Sequence, residues 1–493
     1  MNIHNNRGSM LVLSYLVIVV IIILGASFMV ASFNEGLFAE RQRRSLIAFY
    51  IAESGIEQAI YDLRQDFISD LTSPTWDDGD INGYAIGPNT GSYYMIPYSS
   101  TSLNGGSYAV QLKNVSGTGK QIWVKSIGTF GDATQTLQVY LKAQNLSPWN
   151  NAIFAGAGAS GAMVNGNVHI RGSVHILGSG LDPDDYVVDL GGTAELIGNN
   201  YAIMPSSLKV KVPALSTTVF NGEIVETLNA ELRVKRGIVG LSGGSSVGEP
   251  DVAGNSTKET VDGAFVTNGY GGNKGTASVY SDNGWSHTYD LGDTVTFPSL
   301  ADPYQGYSSY QDYLRDHALV INDPGQLAAL AAITPSSNFN YNNVNGGISM
   351  DGSGNMTISG IVYVEGGTIG MSGSTINYTG QGSVFSTGNM NINTNVLTPG
   401  NNSFPNNIMG FMTPGTITFN AANIDVMGMF YGETKIVSQK QTDVVGSFVS
   451  NFFDMGTNVP SIFQVPDAAN NLPSGLIGQN STWSMRVISW EKI

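Results

Sequence analysis

There is no cysteine among the 493 residues of this chain. No disulfide can staple it, and no thiolate can act as nucleophile or metal ligand. Charge is also scarce. Charged residues make up 12% of the sequence, about half the usual quarter. Basic residues are the scarcer kind, with 22 Lys and Arg against 38 Asp and Glu, a net charge of −16. That balance speaks against a basic groove for nucleic acid, which needs clustered Lys and Arg. What the chain does have is glycine, 61 residues of it, with many Asn and Ser and 42% hydrophobic residues. Such a composition is unlike a cytoplasmic enzyme and like extracellular β-rich structure. Its apolar alternation persists too far for a disordered chain. The length suits two or three domains. Without disulfides, an exported protein of this kind is held by core size, by cations or by neighbours.

The longest uncharged run is Met10 to Phe33, rich in Leu, Val and Ile and long enough to span a membrane, which takes about 20 apolar residues. A cleavable secretory signal would stop after a short apolar core and a small-residue site. Here the helical pattern runs on through Glu35 and Arg41-Gln42-Arg43-Arg44 to Ala48-Phe49-Tyr50-Ile51-Ala52-Glu53-Ser54-Gly55-Ile56-Glu57. The segment therefore reads as an apolar half-helix continued by an amphipathic half. Phe49, Ala52, Ile56, Ala59, Leu63 and Phe67 alternate at three- and four-residue spacing and make one apolar stripe.

Two parts of this segment, Arg7-Gly8-Ser9-Met10-Leu11-Val12 and Ala48 to Glu57 forty residues on, resemble the N-terminal region of PilX-type minor pilins. The K-type minor pseudopilins of type II secretion share that region, and the resemblance covers roughly residues 7–67. It implies a prepilin leader at residues 1–8, cleavage after Gly8 by a prepilin peptidase, and methylation of the new N-terminus at Ser9. It also implies assembly into a filament through the helix, with Leu13 and Glu53 at assembly positions. Major pilins carry Glu as the fifth mature residue, where it pairs with a neighbour's N-terminal amine. Here that residue is Leu13, as in the K-type pseudopilins, which suits a subunit with nothing above it. A carboxylate in lipid is costly unless it finds a partner. Flanking charge is mixed, with Arg7 before the span and Arg41, Arg43 and Arg44 after it. Charge alone favours the C-terminal side in the cytoplasm. The prepilin resemblance and the exported character of the rest place the leader there instead.

Residues 9–69 are expected to form one helix of roughly 90 Å at about 1.5 Å per residue. A small antiparallel pilin-like β domain is expected over 70–146. Its strands are Ser107 to Val115, Gln121 to Phe130 and Thr134 to Ala143, separated by Gly117-Thr118-Gly119-Lys120 and Gly131-Asp132. Ser147-Pro148-Trp149 marks a boundary. Beyond it, over 150–493, short apolar pairs recur between Gly, Asn and Ser breaks: Met356/Ile358, Val362/Val364, Ile369/Met371, Ile376/Tyr378, Met390/Ile392, Ile417/Phe419 and Ile424/Val426. Three such faces make a coil of about 20 residues, and stacked coils share one core. The reading is a large parallel β-helix-like solenoid, with a β-sandwich or jelly roll as the alternative. An insert is expected at about 205–345, containing a polar stretch Gly243 to Gly275 and two short helices, Tyr310 to Leu319 and Pro324 to Ile333, the second capped by Asp323. Asn458 to Ile493 is expected to close the end of the solenoid, whose edge needs covering.

Sites for chemistry are few. Asp78-Gly79-Asp80-Ile81-Asn82-Gly83 matches the first half of a calcium loop, with oxygens at positions 1, 3 and 5 from Asp78, Asp80 and Asn82, and the Tyr84 carbonyl next. Asn89 stands where a bidentate Glu belongs, so Ca2+ would be held weakly, and a solvated acidic turn is the plainer reading. Asp182-Pro183-Asp184-Asp185 and Asp351-Gly352-Ser353-Gly354-Asn355 are fainter versions. His169 and His175 fall on successive rungs, and two histidines alone are a poor zinc site; solvated, outward side chains are expected. Asp425, Glu433, Lys435 and Asp443 show no convergent acid pair of the kind a glycosidase or lyase needs. The chain is thus expected to be no enzyme and to need no cofactor beyond that calcium. The function expected is a minor pilin or pseudopilin, inserted in the bacterial inner membrane and placed at or near the tip of a type IV pilus or secretion pseudopilus. Its partners would be other pilins, the prepilin peptidase and the membrane, with no nucleic acid. The alternatives are an adhesin that presents the solenoid to a surface glycan or protein, and a membrane-anchored carbohydrate-active enzyme.

Overall fold

The computed structural model of the chain describes residues 7–69, 76, 78–86, 91–99, 101–115, 121–145, 147–157, 164–166, 168–180, 182, 185–191, 195–198, 200–220, 223–228, 230, 232–234, 238–241, 246–247, 296–455, 460–478 and 483–493. It divides into two compact units. One joins residues 1–145 to 483–493, and the other is 146–482.

The first unit begins with α1 (Arg7–Ser69). From Met10 to Phe33 the large apolar side chains of this helix are exposed, and by length and composition it can cross a membrane. From Ala48 onward one face is sealed. Ala48, Ile51, Ala52, Ile56, Ala59 and Leu63 are buried against β5 (Gly106–Asn114), β6 (Gln121–Phe130) and β7 (Ala133–Asn145). Those antiparallel strands alternate as a half-buried sheet does. Val110, Leu112, Ile122, Val124, Leu137, Val139 and Leu141 point at the helix, while Lys113, Trp123, Lys125 and Tyr140 lie on the other face.

The helix sits unusually close to the sheet because small residues meet there. A Cβ on Gly128 would lie 2.2 Å from the Ala48 carbonyl oxygen, and one on Gly55 would lie 2.4 Å from Ser126 Oγ. Trp76, fully buried, locks the far end by donating from Nε1 to the Leu63 carbonyl at 3.0 Å.

The last strand of this sheet does not follow β7 in sequence. It is Trp483–Lys492, antiparallel to β7 from Asn145↔Trp483 to Leu137↔Lys492. The expectation that Asn458 to Ile493 closes the solenoid is corrected here, since its final segment belongs to the other unit. The second unit is therefore an insertion between two neighbouring strands of the first.

That second unit is a parallel solenoid with three faces per coil. In its early part, strands 153–157, 174–179 and 232–234 stack on one face, 164–166, 186–190 and 238–241 on a second, and 169–171, 195–198 and 246–247 on a third. Parallel pairing on three faces is not the pairing of a sandwich, whose sheets are antiparallel. The recurrent apolar pairs point inward as expected: Met356, Ile358, Val362, Val364, Ile369, Met371, Ile376, Tyr378, Met390 and Ile392 are all nearly or fully buried.

One inward column runs Leu319, Val362, Val384, Phe411, Phe430, Phe448, Ile153, Val174, Leu232. Each fully buried side chain of this size contributes about 1.5–3 kcal/mol relative to exposure. Its order shows that the stack is built from two arms. The late arm winds from Leu319 to Phe448 and there meets Ile153, where the early arm begins and winds away. Entry and exit are tied together at this junction: Trp149 Nε1 donates to the Ile477 carbonyl at 2.6 Å, and Gln464 Nε2 donates to the Asn150 carbonyl at 2.5 Å.

The expected insert is narrower than 205–345. Leu232–Val234 and Leu319–Ile321 are rungs of the stack. The two short helices are Tyr310–Asp316 and Pro324–Leu330, and Asp323 caps the second through the amides of Gly325 and Gln326. Most of Gly243 to Gly275 lies outside the described residues.

Candidate functional site

The assembly positions lie along α1. Gly8 and Ser9 are helical in backbone, and their side-chain surroundings lie outside the described residues. Leu13 is 64% exposed among other exposed apolar residues. Glu53 is half-buried, one residue beyond the sealed Ala52. Phe67 is helical, with its side chain outside the described set. Between the exposed half and the sealed half, Arg44 pairs with Glu40 on the helix and with Asp132 in the β6–β7 turn, both at 2.9 Å. Beside it an open groove of about 550 Å³ runs along the helix, lined by Phe38, Leu46, Phe49 and Lys492.

The acidic turn is a two-residue β-hairpin. Asp80–Ile81 pairs with Tyr84–Ala85, and Asn82 and Gly83 both take positive φ, 49° and 82°. Asn-Gly is the pair that such a turn favours. The carboxylates serve the turn itself. Asp78 Oδ1 accepts from the Asp80 amide at 3.2 Å, and Asp80 Oδ1 accepts from the Gly83 amide at 2.8 Å. Asn82 turns to the helix, donating from Nδ2 to Asp62 and from its amide to Asp66, both at 2.9 Å. Asp62 and Asp66 are buried and were absent from the sequence reading. Their signal was legible, as two acids four residues apart flanking Leu63 in the apolar stripe. Among the described residues no group of three or more His, Asp and Glu side chains is arranged to hold a metal.

The remaining candidates are scattered. The Asp182 amide donates to Asp185 at 2.9 Å, while residues 183 and 184 lie outside the described set. Asp351 accepts from the amides of Ser353 and Asn355 and from Asn355 Nδ2, at 2.7 to 3.0 Å; the Asn355 side chain leads these bonds in holding its pKa below the usual carboxylate value. His175 is fully buried, edge-on to Phe154 at 5.1 Å, which corrects the outward placement expected for it; His169 is half-buried. The His175 strand, Val174–Ser179, is covered on both sides up to Gly178. Glu433 holds the segment at Ser299 and Leu300, and Lys435 pairs with Asp454 at 3.3 Å. Asp425 and Asp443, by contrast, are brought together, opposite each other on adjacent parallel rungs. Burial raises the pKa of both, and the charge of Asp443 raises Asp425 further.

A solved structure of similar form is the competence-associated pilin ComZ from Thermus thermophilus, with a TM-score of 0.53 at 22% identity, covering 91% of this chain and 97% of that one. The fold is pilin-like. No protein-family model and no curated protein matches the chain. The apolar half of α1 is a candidate membrane anchor.

Proposed function

We propose that the chain is a minor pilin of the PilX-like kind. In this reading it is inserted in the inner membrane by α1, cut between Gly8 and Ser9 by a prepilin peptidase, methylated at Ser9, and built into a filament at or near its tip. The observation that carries the proposal is the division of α1. Its first half is apolar and exposed, while its second half is closed onto a sheet through Ala48, Ala52 and Gly55. Such a helix needs lipid or neighbouring helices along its free half, and the groove at Phe38, Leu46 and Phe49 supports a neighbouring pilin there. Leu13 in place of a carboxylate and the bulk of residues 146–482 support tip placement, because a subunit in the shaft must leave room for the one above it. Likeness to a competence-associated pilin favours a type IV pilus over a secretion pseudopilus. The role is structural rather than enzymatic, and calcium at Asp78, Asp80, Asn82 and Tyr84 is a proposal supported by spacing alone.

Mass spectrometry of the membrane-extracted chain tests the processing step. The expected N-terminus is methylated Ser9, and a chain that begins at Met1 or is cut near Ser27 to Ser32 sinks the pilin reading. Immunogold against residues 150–493 tests placement, with label expected at one filament end and few copies per filament.

The second reading, display of the solenoid to a surface glycan or protein, is favoured by the cluster of Tyr304, Tyr307, Tyr310 and Tyr313 on the large unit.

A further inference from the structure

We infer that the large unit pairs with a second copy of itself through the strand Asn338–Asn342, edge to edge and antiparallel about a two-fold axis at Asn340. This strand stands at the end of the late arm. Among the described residues it pairs along one edge alone, antiparallel to Gly346–Asp351.

The register fixes which backbone groups are left over. The Asn343 amide donates to the Gly346 carbonyl, and the Gly352 amide to the Ser337 carbonyl, both at 2.9 Å. In an antiparallel ladder, opposed residues alternate between pairs that exchange both bonds and pairs that exchange none. Phe339 and Tyr341 therefore bond within the hairpin, and the N–H and C=O groups of Asn338, Asn340 and Asn342 point away from it. All three asparagines are exposed. Such a row is a template for another strand, and native edges are commonly blunted by charge, proline or a bulge. The last strand of the small sheet shows two of these devices, a bulge between Val487 and Ser489 and the charges of Glu491 and Lys492. Asn338–Asn342 shows none of them. Its pairing has no bulge, and neither proline nor charge occurs between Pro335 and Asp351.

Three observations select a second copy as the occupant. First, the outward residues are centred on Asn340. Two copies set Asn340 opposite Asn340 and Asn338 opposite Asn342, and each of these pairs exchanges two backbone bonds. Second, an asparagine amide is both donor and acceptor, so it can bond to its own kind, whereas identical charges set opposite each other would repel. Asn342 Nδ2 donates to Asn340 Oδ1 at 2.9 Å, which holds the row in line. Third, the chain carries a net charge of −16, so two copies repel each other. A neutral stretch from Pro324 to Met350 is where close approach costs least. On the other face of the strand, Phe339 and Tyr341 stack with centroids 5.0 Å apart and are half-buried against the core. In the pair each ring stands opposite its counterpart from the other copy, which covers the part still exposed.

This pairing does not rest on the pilin reading. Its test uses the lack of cysteine, which makes a single introduced thiol the sole reporter. The full chain carrying Asn340→Cys is mildly oxidised in detergent, and covalent dimer is followed by non-reducing electrophoresis. Opposed residues of a hydrogen-bonded antiparallel pair lie about 5.5 Å apart, within the reach of a disulfide, which ends at about 7 Å. This variant is expected to form dimer at least about tenfold faster than Asn338→Cys, whose two copies the register holds apart. An equal mixture of Asn338→Cys and Asn342→Cys chains should give the mixed dimer. Adding Asn342→Lys to Asn340→Cys should slow trapping about tenfold, because a lysine blunts the edge. The substituted side chains are all exposed, so the hairpin is kept. Contact through α1 would raise trapping at every site alike. Equal rates for Asn340→Cys and Asn338→Cys, indifference to Asn342→Lys, or no covalent dimer overturns the assignment. So does a chain that stays single while a different protein is trapped at the same thiol, since the occupant is then foreign.

Discussion

Asn145 and Trp483 face each other across neighbouring antiparallel strands of the small sheet, although residues 146–482 lie between them in the chain. The two strands are in the register of a hairpin whose loop has been replaced by a folded unit. Shortening that connection to an Asn-Gly turn, which suits a two-residue hairpin, is therefore expected to leave the small unit folded. Circular dichroism and amide hydrogen exchange on the shortened chain check this, with β6 and β7 remaining protected. Removing Trp483–Lys492 as well should expose the edge of β7 and promote aggregation. Loss of protection in the first variant alone would mean that the small unit depends on the large one.

Close approach of α1 to the sheet makes Gly128 intolerant of a side chain. The obstructing atoms are backbone, the Ala48 carbonyl oxygen and the Ala52 nitrogen at 2.2 and 2.4 Å, so no rotamer change relieves the clash. Gly128→Ala is expected to cost about 1–3 kcal/mol, read as a lowered melting temperature. Gly36 in the same helix has nothing within 4 Å of a built Cβ, and Gly36→Ala should be neutral or slightly stabilising.

The Asp425–Asp443 pair sets a pH dependence of definite sign. Burial raises both folded-state pKa values, and the charge of Asp443 adds to Asp425, while Ser461 partly offsets the shift at Asp443. A carboxyl with a raised folded pKa binds more protons folded than unfolded. Its contribution is thus fully present below the unfolded value of about 3.9 and is lost as pH rises through the folded one. Asp351 and Glu365, whose pKa values are lowered, act with the opposite sign and lose their contribution in acid. The pair is therefore isolated by difference. Asp443→Asn should raise the melting temperature near neutral pH more than near pH 4, and equal gains at both would remove the pair from the account.

At the Asp78–Tyr84 hairpin, Asp80→Ala should lower stability slightly whether or not calcium is present, because Asp80 closes the turn through the Gly83 amide. The calcium proposal adds a second effect. Melting temperature should rise with millimolar calcium by mass action, and Asp80→Ala should abolish that rise. A wild-type protein indifferent to calcium leaves only the turn.

Much of the scaffold could be read from residues alone. Gln121–Phe130 was expected and found with the same ends, because one face of that sheet is wet and its side chains alternate. The inward pairs Met356/Ile358, Ile376/Tyr378 and Met390/Ile392 were legible for the same reason. Alternation failed where both sides of a strand are covered. Val174, His175 and Ile176 are all buried, and nothing in their spacing says that Phe154 lies over the histidine. The return of Trp483–Lys492 to β7 was hidden too, since a strand's pattern reports which face is apolar and not which distant strand it joins. The stacking of Asp425 on Asp443 needed the coil length, 18 residues at that point, which the variable loops conceal.

The meeting of the two solenoid arms at Ile153 and Phe448 bears on how the protein is made. Synthesis delivers Ile153 first, and its partner strand arrives only after nearly three hundred further residues. Until then the first rung of the early arm has one neighbour, at Val174, and an open edge on the other side. Most solenoids grow outward from any starting repeat, because each repeat needs only the one beside it. This one is completed by joining ends, with the late arm winding inward to seal a waiting edge. The step that sets the pace is therefore expected to be a docking of long sequence separation, slow for the reason that distant pairings are slow, with the exposed rung at Ile153–Ala157 as the place where an incomplete chain aggregates.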